Sequence, residues 1–302
     1  MYDVIIVGAG PAGLTAAIYL GRALKKVLVL EAKSYGGQII NTVNIENYPS
    51  QMHISGYDLA TNMYNQAKEL GAEIIFEKVI DINNCNDHKK VITEKNEYSA
   101  KAIILATGAD SRKLGLKNED EFLGKGISYC ATCDGAFYKN KTVAVNGGGN
   151  TAIEEALYLS SLAKKVYVIH RRNEFKAEKV LVNNLSKKDN VEIIFNSNVT
   201  KLNGNESLES IEITNNDNEV NILDVSALFV AVGHIPENQN FAKLINLDER
   251  GYVIANEDCK TNIEGIYVAG DNRVKMLRQL VTATADGAVA ATNAINYINK
   301  NN

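Results

Sequence analysis

The 302-residue sequence has no tryptophan, three prolines and four cysteines. The missing tryptophan excludes nothing about function. Three prolines beside 22 glycines exclude a collagen-like or proline-rich low-complexity chain. The cysteines (Cys85, Cys130, Cys133 and Cys259) are too few for the disulfide framework of a small secreted domain. No stretch reaches the ~18 apolar residues of a membrane-spanning helix, so no membrane is expected as a partner. Met1-Tyr2-Asp3 runs straight into apolar residues. No basic segment, hydrophobic stretch and cleavage site precede them, which predicts a cytoplasmic protein. Charge of one sign is lacking too: 32 basic against 36 acidic residues leave a net charge of -4. Such a balanced surface gives no reason to expect nucleic acid or an anionic membrane.

Hydrophobic residues make up 45% of the chain, enough for the cores of two domains. The run Asp3–Val7 is nearly all apolar and ends at glycine, as a buried parallel strand does. A helical segment from Ala12 to about Ala23 and a second apolar run, Val27–Leu30, complete a β-α-β unit closed by Glu31. The pattern returns at Thr142–Asn146, a helix from Ala152 to about Leu162, and Val166–Ile169 followed by His170. Gly8 to Glu31 and Gly147 to His170 both span 23 positions, so two mononucleotide-type α/β modules are expected in sequence. Ala102–Gly108 and Ala227–Gly233 also echo each other as apolar strands ending at glycine. Ile211–Thr214 with Asn215 and Asn216 predicts part of a hairpin, and Asn203–Glu206 reads as loop. Ile266–Asp271 is a further apolar run before a long Ala-rich helix from about Leu280 to Ile298.

Gly8-Ala9-Gly10-Pro11-Ala12-Gly13 is the glycine fingerprint of a dinucleotide site, set between a strand and a helix. Gly8 is expected to turn the chain, Gly10 to admit a pyrophosphate at the helix start, and Gly13 to let helix and strand approach. Glu31 stands where a carboxylate accepts hydrogen bonds from a ribose. In the second module, Gly147-Gly148-Gly149-Asn150-Thr151-Ala152 keeps the spaced glycines, with alanine in the third place. Its second strand ends in His170-Arg171-Arg172 instead of a carboxylate. Alone, that triplet reads equally as a basic surface turn. After a glycine module, its guanidinium groups suit a 2′-phosphate and favour NADPH over NADH, with Lys176 as a further cation.

Cys130-Ala131-Thr132-Cys133-Asp134 carries the chemistry. Two cysteines separated by two residues can close a reversible disulfide: one thiolate attacks an external disulfide and the other resolves the mixed disulfide. Asp134 is placed to move a proton. A flavin supplies the missing link, since it accepts a hydride and passes two electrons to a disulfide. A zinc site needs about four ligands, and no second close pair exists, so no metal is expected.

Together these residues resemble the bacterial-type, low-molecular-weight thioredoxin reductases of the flavoprotein pyridine nucleotide-disulfide oxidoreductase family. The resemblance spans essentially the whole chain. Its further marks are Gly36-Gly37-Gln38, Glu46-Asn47-Tyr48-Pro49, Ala106-Thr107-Gly108, Gly270-Asp271 and Arg278-Gln279. It implies two Rossmann-like three-layer domains. The FAD domain would be split between residues 1–113 and 246–302, and an NADPH domain, 114–245, would be inserted between and carry both cysteines. Linkers are expected near Leu114–Leu116 and at 242–248, permitting the domain rotation of that family. Of these, Gly36, Gly37, Gln38, Asn47, Ala106, Thr107, Gly108, Gly270, Asp271, Arg278 and Gln279 are implied as cofactor contacts, with Asp271 near the FAD ribityl or phosphate part and the helix from Gln279 aimed at the flavin ring. Cys133 is implied to face the flavin, Cys130 to attack oxidised thioredoxin or a thioredoxin-like protein, and Asp134 to exchange the proton. A homodimer is implied as well. Three positions depart from the pattern: Asn150 where aspartate is frequent, Lys176 where arginine is usual, and Asn146 at a strand end commonly apolar. Lysine keeps the charge but loses the guanidinium fork, so reduced ferredoxin stands as the alternative donor.

Overall fold

The computed structural model describes residues 1–301 except Val43, Asn44 and Glu46, and describes Asn41, Thr132 and Cys133 by backbone alone. The chain forms two compact units: Met1–Asp110 with Ile235–Asn302, and Ser111–His234.

In the first unit, strands Glu73–Phe76, Val27–Glu31, Tyr2–Val7 and Glu97–Leu105 lie side by side and parallel. Glu97–Leu105 is shared. Its first half pairs antiparallel with Lys89–Thr93, which pairs with Val79–Asn84, and its end pairs parallel with Ile266–Val268. The apolar runs are continuous because both faces of this sheet are covered. Val4, Ile6, Val27, Val29 and Ile104 face the helices Pro11–Arg22 and Leu280–Lys300. The alternate residues Ile5, Val7, Leu28, Leu30, Ile103 and Leu105 face a second layer that includes Phe241, Ile245 and Val253. Each such side chain contributes roughly 1.5–3 kcal/mol on full burial.

The second unit repeats this plan with a shorter sheet. Strands Val191–Ile194, Lys165–Ile169, Thr142–Gly147, Ala227–Ala231 and Ile127–Ser128 are all parallel. Helix Asn150–Ser160 packs Ala152, Ala156 and Leu159 onto Val143, Val145, Val168 and Phe229. A three-stranded antiparallel sheet, Ser197–Gly204, Leu208–Asn215 and Val220–Asp224, brings Ile211 and Ile213 to the other face.

Two expectations shift. Asn203 and Gly204, read as loop, end a strand: they stand on an antiparallel ladder whose register is irregular between them. The chain passes between units after Asp110 and after His234, not near 114–116 and 242–248. Residues 235–245 belong with the first unit by packing, since Phe241 and Ile245 are buried among Ile5, Leu28 and Ile103. No helix among the described residues is long and apolar enough to cross a membrane.

Candidate functional site

In the first unit, the residues singled out in sequence gather beyond the ends of Tyr2–Val7, Val27–Glu31, Glu97–Leu105 and Ile266–Val268, the edge where open α/β sheets bind ligands. Gly8 N–H donates to Leu30 O at 2.8 Å, Ala106 N–H to Val7 O at 2.8 Å and Ala269 N–H to Leu105 O at 2.8 Å, so four strand ends are laced together. Gly8 has φ +107 and a Cβ there would overlap the Ala106 backbone, so only glycine fits. Pro11 opens the helix whose early residues Ala12 and Gly13 are buried, Gly13 against Gly8. Glu31 is fixed rather than free: its two oxygens accept Ala9 N–H at 2.7 Å and Lys33 N–H at 2.8 Å.

The loop marks join the same edge. Gly36 N–H donates to Ala9 O at 2.7 Å, and a Cβ on Gly37 would lie 3.3 Å from Gly10 Cα. Gln38 Nε2 donates to Asp110 Oδ1 at 3.1 Å, and Asn47 Nδ2 to Gln279 Oε1 at 3.0 Å. A Cβ at Gly108 would meet no atom within 4 Å, which leaves room there for a group held by backbone. Gly270 N–H donates to Asp286 Oδ2 at 2.9 Å. Arg278 lies over the Tyr252 ring at 4.1 Å and donates to Asp271 O and Arg273 O, both at 3.3 Å, so it organises its own loop. Gln279 caps helix Leu280–Lys300 in a reciprocal capping box with Thr282. Glu46 lies outside the described residues.

Sequence reasoning missed the supports of this edge. Asn238, fully buried, donates to Gly251 O and Asn272 O and accepts from Thr107 Oγ1. Asn272 donates to Leu105 O and Thr107 Oγ1. Asp286 accepts from Arg273 Nε and Nη2 and from Lys275 Nζ, each at 2.8 Å. Burial alone would raise the Asp286 carboxyl, but these two cations hold it below the usual carboxylate range.

In the second unit, Gly147, Gly149, Thr151, His170, Arg171, Arg172 and Lys176 line one cavity of about 520 Å³. A Cβ at Gly149 would meet nothing within 4 Å, so the glycine turn opens on free space. Gly148 instead lies under the His170 ring, which a Cβ would overlap. Burial, with Arg172 and Arg171 adjacent, lowers the His170 pKa and keeps the ring neutral. Among the described residues, Arg171 and Arg172 form no ion pair. Lys176 N–H donates to Gly148 O at 2.8 Å, which returns that loop to the glycine turn. Asn150, expected at a cofactor, exchanges two hydrogen bonds with Glu178, at 2.9 and 2.8 Å, and clasps the same loop. Ala152 is buried beneath Gly147 as packing.

The cysteine motif builds a short helical turn, Ala131–Asp134, against helix Asn150–Ser160. Cys130 is disulfide-bonded, and Cys85 and Cys259 are free. Ser128 Oγ holds the entrance, 3.1 Å from both Cys130 N and Cys130 O. Asp134 N–H donates to Cys130 O at 3.2 Å. Cys130 and Asp134 do not line the cavity, but Glu155, which the sequence reading passed over, does. Among the described residues, no group of three or more histidine, cysteine or acidic side chains could hold a metal ion.

These residues fit the two groups expected. The first unit offers a glycine turn, a fixed carboxylate and an open backbone edge for a flavin dinucleotide. The second offers an open glycine turn beside the Arg171 and Arg172 guanidinium groups for a phosphorylated nicotinamide dinucleotide. The comparisons agree. Residues 2–287 match the family described as pyridine nucleotide-disulphide oxidoreductase. A thioredoxin reductase of Listeria innocua is 43% identical over 300 residues, covering 99% of this chain and 94% of that protein. One from Peptoclostridium acidaminophilum is 43% identical over 309 residues, covering 100% and 98%. The crystal structure of Lactococcus lactis thioredoxin reductase superposes with a TM-score of 0.90 at 39% identity, covering 99% and 100%. The chain therefore belongs to the pyridine nucleotide-disulphide oxidoreductase family, among its thioredoxin reductases.

Proposed function

We propose that this chain reduces the disulfide of thioredoxin, or of a thioredoxin-like protein, through Cys130 and Cys133 with electrons from NADPH. The observation that carries the reading is the second unit itself: one fold holds a disulfide-bonded Cys130 turn and a separate cavity lined by Arg171 and Arg172. When bound, FAD and NADPH supply hydride transfer from nicotinamide to flavin and an electron pair for a disulfide.

The chain's own residues do the rest. Gly10 would bring backbone close to the FAD pyrophosphate, with Gly8 turning the chain and Gly13 packed against Gly8, and Glu31, pinned by Ala9 N–H, would accept from the ribose. Ala106, Thr107, Gly108, Asn47, Gln279, Gly270, Asp271 and the Gly36–Gln38 loop would hold the rest of that cofactor. Arg171 and Arg172 would hold the 2′-phosphate of NADPH, and the neutral His170 ring packs over Gly148 beside them. With the pair reduced, the Cys130 thiolate attacks the thioredoxin disulfide, forming a mixed disulfide and releasing one thioredoxin thiolate. Cys133 then attacks Cys130, restoring the internal disulfide and releasing the second thiolate. Asp134 exchanges the accompanying proton. The protein works as a cytoplasmic homodimer on this reading.

Stopped-flow mixing of the anaerobic protein with NADPH, NADH or reduced ferredoxin, and then with oxidised thioredoxin, tests it. NADPH should bleach the flavin fastest and support thioredoxin reduction. Bleaching by ferredoxin alone would move the protein to ferredoxin-dependent chemistry.

A further inference from the structure

One titratable group in the second unit has no part in that chemistry. Glu155 sits in helix Asn150–Ser160, and its two oxygens face different things. Oε1 accepts the N–H of Ala131 at 3.3 Å, the residue directly after Cys130. Oε2 is out of reach of solvent and has no hydrogen-bond partner among the described residues. The same side chain lines the cavity of Gly147–Gly149, Arg171 and Arg172. A carboxylate oxygen left without a partner away from water is costly, and protonation removes most of that cost.

We propose that Glu155 is a positioning residue that ties the redox turn to the nucleotide cavity and takes up a proton when the Cys130 disulfide opens. This rests on the redox role proposed for Cys130. The Ala131 N–H bond favours the charged carboxylate. Opening the disulfide frees Cys130, and with it the adjacent Ala131 N–H, from that constraint. A loosened N–H bond favours protonated Glu155. The balance is then disulfide, two electrons and the thiol protons giving two thiols, with one further proton from solvent bound at Glu155.

Electrostatics around the group place this event in the working range. Burial, opposed by the Ala131 N–H and assisted by Glu154, raises the carboxyl to about 7. The helix packs against Ala131–Asp134, Lys179–Leu185, Thr142–Gly147, Lys165–Ile169 and Ala227–Ala231. Beside Cys133, the titratable groups on those elements are Asp134, Lys179, Lys165 and Tyr167, and on the helix itself Glu154 and Tyr158. The cavity adds the cations Arg112, Lys113, Arg171, Arg172 and Lys176, with Tyr129, His170 and His234.

The test is an equilibrium in the holoenzyme. Thiols at residues 130 and 133 are counted by alkylation and mass spectrometry across dithiothreitol redox buffers, from pH 5.5 to 8.5. Dithiothreitol supplies the electrons and leaves oxidised. In the wild type, the equilibrium constant for opening should carry an additional pH dependence near pH 7, up to about tenfold per unit for one extra proton. Glu155→Gln keeps an acceptor for Ala131 N–H and should remove that dependence. Glu154→Gln should move it to lower pH without removing it. Identical pH profiles in all three proteins would overturn the proposal while leaving the disulfide chemistry standing. A pair that gains no label in any buffer would overturn both.

Discussion

The two units share a glycine module of the same spacing, yet they hold their charged groups differently. In the first, charges at the edge are tied to groups of the same unit. Glu31 takes two backbone N–H groups, and Asp286 is enclosed by Arg273 and Lys275, with side-chain exposures of 6%, 2% and 4%. In the second, Arg171 and Arg172 line the cavity and, among the described residues, stand outside any ion pair. Charges already paired within the edge suit a cofactor that stays, and cations without a protein partner suit an anionic ligand that comes and goes. The same strand-turn-helix thus serves two binding modes, set by the residues at the end of its second strand: Glu31 in one unit, His170-Arg171-Arg172 in the other.

The comparison can be broken in order of effect. If the second unit holds the disulfide chemistry, Cys133→Ser should lower thioredoxin turnover by about a thousandfold or more, as loss of a member of a catalytic pair does. NADPH should still bleach the flavin, and full turnover would contradict the assignment.

Next is the buried network of the first unit. Asp286→Ala leaves Arg273 and Lys275 buried without their anion and should cost about 3–5 kcal/mol, read by denaturant unfolding. Glu155→Gln in the second unit removes a half-buried charge that has no ion partner among the described residues and should change stability by about 1 kcal/mol or less. Equal losses would erase the contrast.

Replacing Arg171 and Arg172 together by alanine should raise the KM for NADPH on the order of 30-fold, from ~2 kcal/mol of lost charged hydrogen bonds. The KM for NADH should change little. Matching changes would remove the 2′-phosphate from the account.

The smallest effect is in the pH dependence of stability. His170 has a lowered pKa, so its contribution is complete above about 6.5 and declines as pH falls. Glu155, raised to about 7, works the other way: its contribution is complete below the ordinary glutamate value and is lost as pH rises through about 7. In a Glu155→Gln background, His170→Gln should flatten the remaining loss of stability between pH 7 and 5, seen in melting temperature. An unchanged slope would show that the ring is not held neutral by the fold.

Much of this was legible in the sequence for simple reasons. Runs such as Val4–Val7 and Val143–Val145, each leading into a glycine turn and matched in spacing, can only be doubly covered strands of an α/β sheet. The antiparallel additions were harder to place because Asn203 and Gly204 look like a turn, and nothing local says that a ladder continues through them. The expected linkers failed because Phe241 and Ile245 are ordinary apolar residues whose partners, Ile5 and Ile103, are remote in sequence. Glu155 was hidden by Glu154, since two acidic residues on a helix read as a solvent face. Its position three after buried Ala152 and one before buried Ala156 was the available signal. Asp286 carried a similar one, three residues after buried Ala283 and four before buried Ala290. Asn238 and Asn272 join segments with no sequence relation to each other, so only the fold could reveal them.

The central claim is that electrons entering at the second unit's cavity end on Cys130 and Cys133. The most direct measurement is an anaerobic titration of the flavin-loaded protein with NADPH, tracking flavin absorbance and alkylating residues 130 and 133 at each point. Both thiols should appear as NADPH is consumed and vanish when oxidised thioredoxin is added. A flavin that is fully bleached while both positions stay unlabelled would contradict it.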